Sequence, residues 1–166
     1  MRVTVDDDGT VVISRPSAQP ERADTAGLVL KSDDEKRYLL TVAYPAMKVD
    51  AYKGKDQRRD FASAPVVEEA AWNFLRKGAK VGLFHKAGHE DAAEVVESYI
   101  WRADPWLIKA ANGTEQTIME GDWLVGLVLS EDTWALYKSG DIGGVSPQGR
   151  AKRKVPDAAT LAKLRS

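Results

Sequence analysis

Beyond its first helix the chain carries apolar residues in runs too short for helices, split by turn-forming residues, and this narrows the fold more than anything else. Lys80 to His85, Glu94 to Trp101 and Asp122 to Leu129 each run apolar or alternate with a period of two, the pattern of strands. Asn112-Gly113, a dipeptide suited to tight hairpins, separates two of these pieces. Upstream, Val3, Val5, Val11, Val12 and Ile13 flank Asp6-Asp7-Asp8-Gly9, which predicts a small hairpin. Ala26 to Leu30 and Tyr38 to Tyr44 read as two strands around a charged turn, Lys31 to Arg37. Two segments break the rhythm. From Pro65, with Ser63 or Ala64 at the cap, Val67, Ala70, Ala71, Phe74 and Leu75 make the one-sided stripe of a helix that Gly78 closes. A second helix is expected over Glu131 to Ser139, opened by Ser130 and ended by Gly140. No internal repeat is visible, and the plan is α+β, dominated by antiparallel sheet.

Composition fits one domain. In 166 residues, 43% are apolar and 30% charged, enough hydrophobic material for a packed core rather than a disordered chain. No cysteine is present, which removes disulfides, cysteine nucleophiles and thiolate metal sites. No apolar run approaches the roughly 20 residues that span a bilayer, and Met1 to Asp6 lacks a signal-peptide core. A soluble, cytosolic protein without a membrane partner is therefore expected. The net charge of −1 gives no general reason for nucleic-acid binding. It is unevenly spread, however. Residues 150–166 hold six basic residues against Asp157 alone, a basic C-terminal tail with a short helix expected after Pro156. Such a tail is either a solvated terminus or a contact for an acidic partner. Residues 14–24 form a polar, proline-punctuated connector after the first hairpin, and residues 1–149 are read as the domain proper.

Candidate chemistry is sparse. His85 follows the apolar run Val81-Gly82-Leu83-Phe84, which would hold an imidazole at a strand end. His89, with Glu90 or Asp91, could complete a metal site, although Gly88 weakens any helix that would align the two rings. An exposed loop is the plainer reading of His89, and neither a metal nor another cofactor is assigned. Ser146 lies in Gly143-Gly144-Val145-Ser146-Pro147-Gln148-Gly149, where flanking glycines allow a sharp turn and backbone N–H groups to face an oxyanion. The same cluster also reads as an ordinary loop. A Ser–His pair needs a third group to orient the imidazole, and Glu94 and Glu97 are the nearby acids. Their odd spacing on one strand places them on opposite sheet faces, so only one can serve. Trp101, Trp106, Trp123 and Trp134 are expected in the core or lining a groove.

Taken in order, several segments resemble the phage prohead (capsid maturation) serine proteases of the XkdF-like type. They are Val81-Gly82-Leu83-Phe84-His85-Lys86, Ala93 to Ile100, Gly121-Asp122-Trp123, and Trp134 through Ser146, with Val49-Asp50-Ala51 ahead of the first helix. The resemblance spans roughly residues 26 to 150. It implies a herpesvirus-protease-like fold, a small β-barrel, mostly antiparallel, with surrounding helices. It also implies a serine endopeptidase that processes scaffold and major capsid protein precursors, inside the immature prohead in the host cytoplasm. A homo-oligomer fits that setting. His85 matches the family's general base and Ser146 its nucleophile. Glu97 is assigned the third role, with Glu94 next.

After the serine the chain departs from the family's usual Ser-Ile-Gly-Gly. It has Ser146-Pro147-Gln148-Gly149, and Pro147 has no N–H to give an oxyanion. Losing one such donor costs about 3–4 kcal/mol, or several hundredfold in rate. The alternative reading is a catalytically inactive protease-fold protein with a structural or scaffold-binding role in the capsid. A third is a β-rich binding module in which Ser146 and His85 stay apart.

Overall fold

The computed structural model describes residues 2–5, 11–14, 27–49, 59–81, 92–144 and 152–164. Its centre is a four-stranded antiparallel sheet in the order β3 (Val29–Asp33), β4 (Tyr38–Tyr44), β8 (Trp123–Leu129), β5 (Ala93–Ile100). Two further antiparallel pairs stand beside it in the topology, β1 (Arg2–Val5) with β2 (Val11–Ser14), and β6 (Trp106–Lys109) with β7 (Glu115–Ile118). Helices α1 (Ala64–Arg76), α2 (Glu131–Ser139) and α3 (Ala158–Ala162) complete the chain. The α+β, mostly antiparallel architecture is as expected. Among the described residues, however, the strands form three separate sheets and no closed barrel.

The two central strands have apolar residues on both faces and so separate two cores. On one face Leu39, Ala43, Trp123, Val125 and Leu127 meet Val67 and Ala71 of α1, with Phe74, Trp134 and Tyr137 packed around them. On the other, Leu30, Leu40, Val42 and Leu124 meet Ile108 and Ile118 of the β6–β7 hairpin, flanked by Trp101 and Trp106. Thr41, fully buried in β4, is tolerated because its hydroxyl donates to the Val125 carbonyl at 3.2 Å. Trp101, Trp106, Trp123 and Trp134 thus pack in or against the core, as the sequence suggests, whereas Trp72 of α1 is exposed. Helix α1 starts after Ser63 with Pro65 in its first turn, and Gly78 follows its end at φ 89°. Ser63 makes no side-chain cap bond, whereas Ser130 caps α2 by accepting from the Thr133 N–H. Gly113, at φ 85°, turns the β6–β7 hairpin beside Asn112, whose side-chain Oδ1 accepts from the Thr114 N–H.

One carboxylate ties the layers together. Asp122, 1% exposed, accepts from the Ala46 N–H with Oδ1 and from the Met119 N–H with Oδ2, each at 2.8 Å. Gly121 beside it sits at φ 92°, and a Cβ there would come within 2.7 Å of the Ala64 Cβ. Gly121-Asp122 is therefore a clasp that joins the β4 exit, the start of α1 and the start of β8.

Candidate active site

Of the three residues assigned catalytic roles, Glu97 falls among the described residues; His85 and Ser146 lie outside them. So do Pro147, the His89, Glu90 and Asp91 cluster, and most of the 14–24 connector. The chain can be followed to within a few residues of both. Val81 bridges Ala93 at the beginning of β5, four positions before His85. Gly144 bridges Leu28 just ahead of β3, two positions before Ser146. These anchors sit at opposite edges of the central sheet.

The position of Glu97 is decided by a β-bulge. Val95 pairs with Leu127, but Glu97 pairs with Gly126, so Val96 is an extra residue in β5. Glu94 pairs with Val128, which lies on the same face as Gly126. The expectation that Glu94 and Glu97 face opposite sides is therefore wrong: the bulge restores their parity. Both are exposed, on the sheet face that carries the β6–β7 core rather than the helices.

On that face Glu97 has a partner that spacing did not reveal. The Tyr38 hydroxyl, from β4, donates to Glu97 Oε2 at 2.5 Å. It does so across β8, over Gly126. A Cβ on Gly126 would stand 2.6 Å from Oε2 and 2.9 Å from the Tyr38 oxygen, so the pair occupies the space a side chain would fill. An isolated glycine inside the apolar run Trp123 to Leu129 is the signal that could have pointed here, since it marks a bulge or a close approach. Partial burial, then the hydrogen bond and negative charge of Glu97, push the Tyr38 phenol well above its ordinary 10.0. Burial and the same carboxylate also raise Tyr99, two residues along β5. The arrangement is a carboxylate with one oxygen held by a neutral phenol, on an accessible sheet face. Chemically it can accept a further hydrogen bond or stabilise a nearby cation.

A second polar group lies elsewhere. A cleft of about 470 Å³ runs between the first turn of α1 and residues 100–102, with Glu68, Arg102 and Lys163 on its walls. Glu68 and Arg102 form an ion pair, which occupies both charges. The basic C-terminal segment is partly engaged as well: Arg153 pairs with Asp60 at 2.7 Å, and Asp157 caps α3. Among the described residues no group of three or more acids and histidines could hold a metal ion. No helix among them is long and apolar enough to cross a membrane.

Comparison with known proteins adds what the geometry does not. The model of a family described as "Putative phage serine protease XkdF" matches residues 25–155. Two proteins of Bacillus subtilis (strain 168) are similar. The uncharacterized protein YqbD is 31% identical over 84% of this chain and 39% of its own length. The phage-like element PBSX protein XkdF is 29% identical over 75% of this chain and 41% of its own. The chain thus spans about two fifths of the curated relatives it matches. No solved structure matches.

Proposed function

Since this chain belongs to the XkdF family of phage serine proteases, we propose that it is a serine endopeptidase with Ser146 as nucleophile, His85 as base and Glu97 as the acid behind the imidazole. The family match carries the reading, because residues 25–155 include all three positions. In the proposed reaction His85 takes the Ser146 hydroxyl proton as the oxygen attacks a peptide carbonyl carbon. It then gives that proton to the departing amine, and water cleaves the acyl-enzyme by the same route. Glu97 fixes the imidazole tautomer and stabilises its charged form. Substrates are scaffold and capsid precursors within the prohead, and the site is completed by closure of the open sheet into a barrel.

A fluorophosphonate probe tests the reading. Labelling of the full chain should map to Ser146 and disappear in Ser146→Ala and His85→Ala variants that still fold. Labelling that persists in Ser146→Ala removes the assignment.

Pro147 favours a second reading, a protease-fold protein that binds scaffold without cutting it, since that position offers no oxyanion N–H. It is supported if the folded chain stays unlabelled and leaves scaffold intact while co-sedimenting with it.

A further inference from the structure

We infer that Tyr38 is a positioning residue for the Glu97 carboxylate and that Gly126 supplies the space in which the two meet; this rests on the reading of Glu97 as the acid behind His85. A glutamate on an exposed strand face has three rotatable side-chain bonds and no reason to hold one orientation. A carboxylate that orients an imidazole must hold one, with an oxygen kept in place for the ring N–H. Tyr38 supplies the constraint. Its phenol springs from a strand paired on both sides, to Asp33 of β3 and Val128 of β8, so its origin is fixed by the sheet. The hydroxyl reaches over Gly126 to Oε2 and leaves Oε1 for another donor. Two irregularities are needed for this bond. The bulge at Val96 turns Glu97 onto the face of Tyr38, and a residue without a Cβ lies between them. A carboxylate–phenol pair that served only to fasten β5 would need neither, because β5 is already paired to β8 along its length.

The test combines single and double variants of the full chain. The rate of fluorophosphonate labelling should fall roughly tenfold in Tyr38→Phe, the worth of one hydrogen bond, and further in Glu97→Gln. Adding Tyr38→Phe to Glu97→Gln should then cost nothing more, since both act through one carboxylate. Gly126→Ala should resemble Tyr38→Phe. Because the chain has only two histidines, the His85 ring can also be titrated by NMR, which does not depend on turnover. Its pKa should drop in Glu97→Gln, and Tyr38→Phe should shift it only while Glu97 is present. If Glu97→Gln alters neither the labelling rate nor the His85 titration, Glu97 is not the acid and the reading beneath the inference fails. If Glu97→Gln alters both and Tyr38→Phe neither, the positioning role alone is wrong. Losses that multiply in the double variant also overturn it, because they show Tyr38 acting independently, as a structural residue would.

Discussion

Replacing Asp122 with alanine should be the most damaging single change in the described structure. The carboxylate is 1% exposed and accepts from two backbone donors, Ala46 N–H and Met119 N–H, each at 2.8 Å. Alanine leaves both N–H groups without this acceptor, that of Ala46 in a buried site and that of Met119 in a partly buried one. An unsatisfied buried donor costs roughly 1–3 kcal/mol, so the pair should cost about 3–5 kcal/mol. That is a large share of the roughly 5–15 kcal/mol that holds a domain of this size together. Asp122→Asn keeps one acceptor oxygen and should lose about half as much, with its NH₂ set against the second donor. Urea unfolding followed by tryptophan fluorescence measures the difference. With a slope of about 2 kcal/mol/M, the alanine variant's midpoint should fall by about 2 M and the asparagine variant's by about 1 M. Trp123 lies next to the clasp and 6% exposed in the core, so its emission reports loss of the packing the clasp secures. A loss under about 1 kcal/mol for Asp122→Ala, or equal losses for both variants, would refute the clasp.

The cap of α2 should be worth less: Ser130→Ala removes the acceptor for the Thr133 N–H and should lower stability by about 1 kcal/mol, read by the same urea titration. Absorbance titration should show Tyr38 and Tyr99 ionising above the ordinary phenol value of 10.0, with the Tyr38 component lost in Tyr38→Phe. Both phenols have raised values in the folded state, so the native chain keeps protons that the unfolded chain gives up above pH 10. The contribution of these two phenols to stability should therefore be level below pH 10 and fall as pH rises beyond it, so that stability in alkali drops less steeply in Tyr38→Phe; a fall of equal slope in the two proteins would count against the pairing.

Much of the architecture was legible because it follows from local chemistry. The span of α2 could be read from Ser130 and Gly140, and α1 from Pro65, its apolar stripe and Gly78, since capping acts within a turn. Strands β4, β5 and β8 were visible in their apolar runs, and the β6–β7 turn in Asn112-Gly113. The role of Asp122 was not legible. It lies inside a motif that stands out only by its resemblance to a protease family, and its partner Ala46 is 76 positions away in sequence. An acid before an apolar strand looks like any surface carboxylate until the chain folds over it.

The misreading of Glu94 and Glu97 has a more instructive cause. Alternation assigns faces correctly only while two strands advance one residue for one, and β5 gains a residue on β8 at Val96. Nothing local to Ala93–Ile100 announces that, for Val96 is as good a strand residue as its neighbours. The cause is across the ladder. At Gly126 the partner strand has no side chain, and the void it leaves is filled by Glu97 and Tyr38 from either side. Had position 126 carried any larger residue, its Cβ would have met both groups at under 3 Å and the carboxylate would have had to turn away from the phenol. The glycine of one strand, the bulge of a second and the tyrosine of a third are thus one feature. Each is unremarkable alone, and together they fix where a negative charge stands on the sheet.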